Sequence, residues 1–183
     1  MDIVLLHHSG VRVEDLLGRA PLSVPSAEAL GSGGAFDRWA PDGDRTRLLW
    51  TRLGGIPPGV RPRPTDPFDR AALELEILGL TLEIHPAALQ RARHGSAPNR
   101  AEEVERPGRH LRFWALVAAE KTMRTEKGEL MQFLTFVDET ALCEAVAFPD
   151  AYRMRRRPLR TGDILPVAGR STRQDSLAVL EVS

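Results

Sequence analysis

The chain has 183 residues, 42% of them hydrophobic and 27% charged, with 25 basic and 25 acidic side chains in balance. Charge neutrality removes any global case for nucleic acid, so a basic surface has to be local. One cysteine, Cys143, and five histidines without metal spacing exclude disulfides and cysteine zinc sites, and no run is long and apolar enough to span a membrane.

The N-terminal MDIVLLHHSG has an acidic second residue and no cationic start, so it does not read as a signal peptide. A reducing, cytoplasmic setting is the expectation. Residues 9–53 read as a small helical region. Val13 to Leu17 has helical spacing, and Pro25 to Leu30 is a second short helix, with proline in its first turn and Gly31 as its stop. A third helix is expected from Arg45 to Leu53, with Leu48, Leu49 and Trp50 inward and Asp42 or Asp44 near its start.

Residues 54–109 begin with a Pro- and Gly-rich linker, GGIPPGVRPRPTDPFD. A helix over 69–82 follows, whose two apolar rows (Leu73, Ile77, Leu80 and Leu75, Leu78, Leu82) predict a well-buried element. Pro86 turns the chain into AALQRAR, and the polar, aperiodic stretch HGSAPNRAEEVERPG (94–108) reads as a flexible hinge.

From His110 the period changes to that of strands. LRFWALVAAEK and LMQFLTFVD are strands joined by a hairpin in which Gly128 takes positive φ. LCEAVAF is the third strand, and Asp150 to Arg156 a short helix capped by Asp150. ILPVAGRS is the fourth strand, with Pro166 marking an edge or bulge, and LAVLEV the fifth. Three meandering strands, a helix and a hairpin are the order of an OB-fold, a small five-stranded barrel. The fold class is therefore α+β: an N-terminal helical region, a linker with one helix, and a barrel over 110–183.

No Walker loop, GxGxxG, HExxH or GxSxG motif is present. The adjacent carboxylates Asp138 and Glu139 point to opposite faces of a strand and read as a strand end entering a turn. His7 and His8 read as a solvated pair, and Cys143 as a small buried hydrophobe. The positive signal is charge at the barrel rims. OB barrels bind single strands over strands 2 and 3, between the 1–2 and 4–5 loops. Those loops carry Lys121, Arg124 and Lys127 on one side and Arg170 and Arg173 on the other. Phosphates need such cations, and bases need flat partners. Phe133, Phe136 and Phe148 are available for stacking. Met131 and Phe133 read as core, which leaves Phe136 or Gln132 on the exposed face to touch bases. The run Arg153 to Arg157 places Arg153, Arg156 and Arg157 on one side of a helix, where they could meet phosphate or protein.

The third region resembles the OB domain near the C-terminus of bacterial C-family replicative polymerases, the DNA polymerase III alpha subunits and their error-prone relatives. The residues that carry the resemblance are Arg124-Thr125-Glu126-Lys127-Gly128-Glu129, Met131, Phe133-Leu134-Thr135, Asp138-Glu139-Thr140, and Ala147-Phe148-Pro149 with Tyr152. Upstream, Leu73 to Pro86 looks like the helix that precedes that domain, and VEDLLGRAPLS with EALGSGGAFD looks like its helix-hairpin-helix region. RTRLLW and LTLEIHP lean toward the error-prone branch. Ala141 departs from the family by standing where a glycine follows the turn.

Nothing corresponds to palm, fingers or thumb, and the metal-binding catalytic carboxylates have no counterpart. The resemblance implies a non-catalytic module without metal or cofactor that binds single-stranded DNA in replication or translesion repair. The alternative is a protein-interaction module that recruits a polymerase or mutagenic-repair protein.

Overall fold

A computed structural model of the chain describes residues 23–39, 44–52, 56–61, 63, 65–95, 97–174 and 177–183. The helix expected at Val13 to Leu17 and the pair His7-His8 lie outside these residues, as do the side chains of Leu48 and Leu49. The chain divides into two compact units, one up to Leu82 and one from Glu83.

In the first unit, α1 (Val24–Ser32) starts at Ser23, whose Oγ accepts the Ser26 N–H at 3.2 Å, with Pro25 in the first turn. The expected stop at Gly31 falls too early. Gly31 is buried inside the helix, and Gly33 caps it. Helix α2 (Arg45–Arg52) is preceded by Asp44, which accepts the Arg47 N–H at 3.1 Å. Helix α3 (Pro67–Leu78) is capped by Asp66 and closed by Gly79 at φ 72°, four residues before the expected end.

The burial expected for α3 is corrected. Leu73, Ile77 and Leu78 are exposed, as are Leu80 and Leu82 beyond it, and the face turned inward carries Ala71 and Glu74. A buried ion-pair network selects that face. Arg45 Nη2 reaches Glu74 at 2.7 Å and Asp37 at 2.5 Å, Nη1 donates to the Ser32 carbonyl, and the other Glu74 oxygen accepts the Leu82 N–H. Burial alone would lower the Arg45 pKa, but hydrogen bonds and charge from Asp37 and Glu74 raise it instead.

In the second unit, α4 (Pro86–His94) and a 3-10 turn (Ala101–Glu105) precede five strands. These are β1 (His110–Arg124), β2 (Leu130–Val137), β3 (Leu142–Ala147), β4 (Ile164–Gln174) and β5 (Leu177–Val182), with α5 (Pro149–Met154) between β3 and β4. The strands close into a barrel in the order β1-β2-β3-β5-β4, antiparallel except between β3 and β5. That order, with the helix after β3, is the OB topology expected from the sequence. Strand β1 serves both sides of the barrel: His110 to Leu116 pair with β4, and Leu116 to Arg124 with β2, across an irregularity at Val117/Ala119. Pro166 pairs only toward β1, at Trp114, because β5 joins β4 from Gly169 onward. The missing N–H therefore costs no ladder bond.

The barrel core is Leu111, Phe113, Ala115 and Val117 of β1, Leu134 and Phe136 of β2, and inward residues of β3 to β5. Ala101 and Val104 join this cluster, so the flexible hinge expected over 94–108 is corrected, from residue 97 on, to a packed plug. Its backbone is tied down as well. Asn99 and Arg112 exchange two hydrogen bonds, and Arg106 and Arg109 bond to Ser171 of β4. Polarity suggested a loop here, but these polar groups are spent on pairing with the barrel.

Candidate nucleic-acid interface

The β1–β2 hairpin turns through Thr125 to Glu129, with Gly128 at φ 80° as expected. Gly128 donates to the Thr125 carbonyl and Thr125 to the Glu129 carbonyl, both at 2.8 Å. The turn carries Lys127, Arg124 is the last residue of β1 before it, and Lys121 lies further back on that strand. All three are exposed, and none pairs with a carboxylate among the described residues. Arg124 donates only to the Gly128 carbonyl.

The phase of β2 is opposite to the one read from the sequence. Gln132, Leu134 and Phe136 point inward, and Phe133 points out. Phe136 is 0% exposed and Phe133 42%, so Phe136 is core and cannot meet a base, and Phe133 leaves the core. Gln132, also expected outside, is fully buried. It stays inside because its amide is satisfied there: Nε2 donates to the Leu159 carbonyl at 2.7 Å and to Glu120, and Oε1 accepts the Leu159 N–H. Met131 is half-buried on the outer face. Nothing in the apolar pattern could set this phase, since both faces of LMQFLTFV carry large apolar residues.

On the outer face, Phe133 lies opposite Lys121 of β1 and Val146 of β3, and Met131 opposite Met123. Phe148, one residue past β3, is exposed too. Further along, Thr135 donates to Glu144, which places a carboxylate midway along β3. The register fixes where the rims stand. The β1–β2 turn adjoins the end of β3, where Gln132 pairs with Ala147, and the β4–β5 turn adjoins its start, where Glu144 pairs with Val179. The β1–β2 turn, with Lys127, and the β4–β5 turn, near Arg173, therefore stand at opposite ends of β3, whereas Arg170 pairs with Glu181 and lies level with Val146. Arg170 and Arg173 of β4 are exposed, and no described carboxylate holds them.

The arginine run after β3 is corrected in conformation. The helix ends at Met154, and Arg155 is already extended, so Arg153, Arg156 and Arg157 do not share a helical side. The helix is capped at Phe148 rather than Asp150. Arg153 is held by Glu129 and Asp150, and Arg157 forms a two-pronged pair with Asp163 at 2.8 and 2.9 Å. Arg156 is exposed.

The Asp138-Glu139-Thr140 turn is a staple. One Asp138 oxygen accepts from the N–H and hydroxyl of Thr140 and the N–H of Ala141, and the other from the Ala101 N–H at 2.9 Å. Burial would raise the Asp138 pKa, but these hydrogen bonds outweigh it and hold the carboxyl below its usual range. Glu139 pairs with Arg91 of α4 and with Arg100. Among the described residues no group of three His, Cys, Asp or Glu side chains could hold a metal ion. Burial pushes the Cys143 thiol up to about 12, which makes it an inert core residue.

No family model matches the chain. The error-prone DNA polymerase of Burkholderia mallei is 34% identical over 166 residues, which cover 86% of this chain and 15% of that protein. The DNA polymerase III subunit alpha of Bacillus subtilis is 33% identical over 143 residues, 76% of this chain and 13% of that protein. The chain is homologous to a stretch of these polymerases. It spans only a small part of their length, and both the replicative and the error-prone branch are among its relatives.

Two solved structures are similar to part of the chain. The second OB-fold domain of replication protein A from Methanococcus maripaludis is 21% identical, with 42% of this chain and 81% of that chain covered, at a TM-score of 0.33. The SSB domain of a Synechococcus protein is 15% identical, with 40% and 89% covered, at 0.35. The strand order, rather than these superpositions, defines the fold.

Proposed function

We propose that this polymerase-like module binds single-stranded DNA on the outer face of β2 and β3 and performs no catalysis itself. The observation that carries the reading is Phe133, an exposed ring in mid-strand beside Lys121, near the β1–β2 turn, where Arg124 and Lys127 have no carboxylate partner among the described residues. A ring offers any base a stacking partner, and the cations meet the phosphates on either side. Phe148 extends the stacking surface, and Arg173 receives the strand at the opposite rim, with Arg170 further back along β4. Glu144 repels phosphate from the middle of β3, which directs the backbone toward the rims. Service in replication or lesion-tolerant synthesis accords with the polymerases to which the chain is similar.

Fluorescence anisotropy of a labelled oligothymidylate across a salt series tests the reading. Three to five neutralised phosphates give a log–log slope between about −2 and −3.5 for a single strand. Absence of binding at low salt would sink the proposal.

A further inference from the structure

A second basic cluster follows α5, on residues that belong to neither β2 nor β3. Where the chain leaves α5, Arg155, Arg156 and Arg157 line a cleft of about 310 Å³ with the aliphatic side chains of Leu159, Ile164 and Leu165. Asp163 also borders it, but that carboxylate is taken by Arg157 and by the Arg160 N–H. The cleft keeps the uncompensated charge of Arg155 and Arg156. Arg155 is only partly exposed and has no side-chain partner among the described residues, and burial lowers its pKa with nothing to offset it. A guanidinium that has lost water without gaining an anion is a standing cost that an external carboxylate would relieve.

Two features separate this cleft from a phosphate path. Its apolar lining is wholly aliphatic, so a base finds no ring to stack on. Its volume is also at the small end of ligand pockets, room for one or two side chains rather than for a continuous strand. We propose that the cleft docks a short acidic segment of a partner protein. The segment's carboxylates would pair with Arg155 and Arg156, and an aliphatic side chain would pack on Leu159, Ile164 and Leu165.

The test uses the whole chain and a fluorescein-labelled peptide of alternating glutamate and leucine residues, with glutamine-for-glutamate and serine-for-leucine versions as controls. The acidic–aliphatic peptide should bind and both controls should lose affinity. Arg155→Ala should weaken the peptide about tenfold, the scale of one charged hydrogen bond, and leave oligothymidylate affinity within about twofold. Arg155→Glu should abolish peptide binding and Arg155→Lys restore part of it, with circular dichroism showing an intact fold. The proposal is overturned if the peptide does not bind, if it binds equally to Arg155→Glu, or if Arg155→Ala weakens the oligonucleotide as much as the peptide. The last result would assign the cleft to nucleic acid.

Discussion

The two phenylalanines of β2 are three residues apart and have opposite fates. Phe133→Ala should weaken single-strand binding about tenfold, within the ~1–3 kcal/mol of one stacked base, and leave the unfolding midpoint nearly unchanged. Phe136→Ala removes a fully buried ring and should cost about 3–5 kcal/mol of stability in a urea titration. The sequence showed that the two face opposite ways, but not which is inside. A buried glutamine settles that, and its reason, the Leu159 backbone, lies 27 residues further along.

Asp138 was legible as a turn residue, but its bond to the Ala101 N–H was not, because no local pattern links positions 37 apart. Its lowered folded-state pKa means that the unfolded chain binds its proton first as pH falls. Its stabilisation is therefore complete above the unfolded value near 3.9, and is lost as pH drops through the lower folded value. His85 adds a second step at higher pH. Burial lowers its pKa, and its neutral Nδ1 accepts the Ala87 N–H that starts α4, so its contribution is lost as pH falls below about 6.5. Asp138→Asn, which puts an amide among N–H donors, should flatten the acid step of a stability–pH curve measured by urea unfolding and, by removing the carboxylate charge that partly holds the His85 pKa up, should extend the His85 step to lower pH.

Among the elements, strands were read more faithfully than helices. The barrel strands alternate in burial over turns with their own chemistry, such as Gly128, so composition and period agreed on their existence. Helix α3 misled because its leucines suggested a core. A buried salt-bridge network holds Glu74 inward instead, and such a network needs partners from α2 and the Asp37 turn that periodicity does not contain. The stretch from residue 97 to 108 misled in the opposite sense, being polar yet packed.

Gly169 illustrates an element-level constraint that composition hides. A Cβ there would lie 2.3 Å from the Glu181 carbonyl oxygen, where β4 and β5 approach closely. Gly169→Ala should therefore destabilise the barrel by about 1–3 kcal/mol, read as a lowered urea midpoint with the β4–β5 amides exchanging faster. An unchanged midpoint would show that the strands separate without cost.

At the scale of the whole molecule, a neutral chain confines its charge to places. The rims of the β2–β3 face carry cations without carboxylate partners among the described residues, and Arg153 and Arg157 are already paired. Counting arginines along the sequence could not separate these groups, because ion pairing is decided by the fold. Homology to a stretch of DNA polymerases and an OB barrel point the same way as the local geometry. Titration of isotope-labelled protein with oligothymidylate, followed by amide chemical shifts, tests the proposed binding face most directly. Shifts should cluster on Lys121 to Lys127, Met131 to Thr135 and the Phe148 region, with weaker changes at Arg170 and Arg173. Shifts confined to α1 to α3, or none at saturating oligonucleotide, would contradict the account.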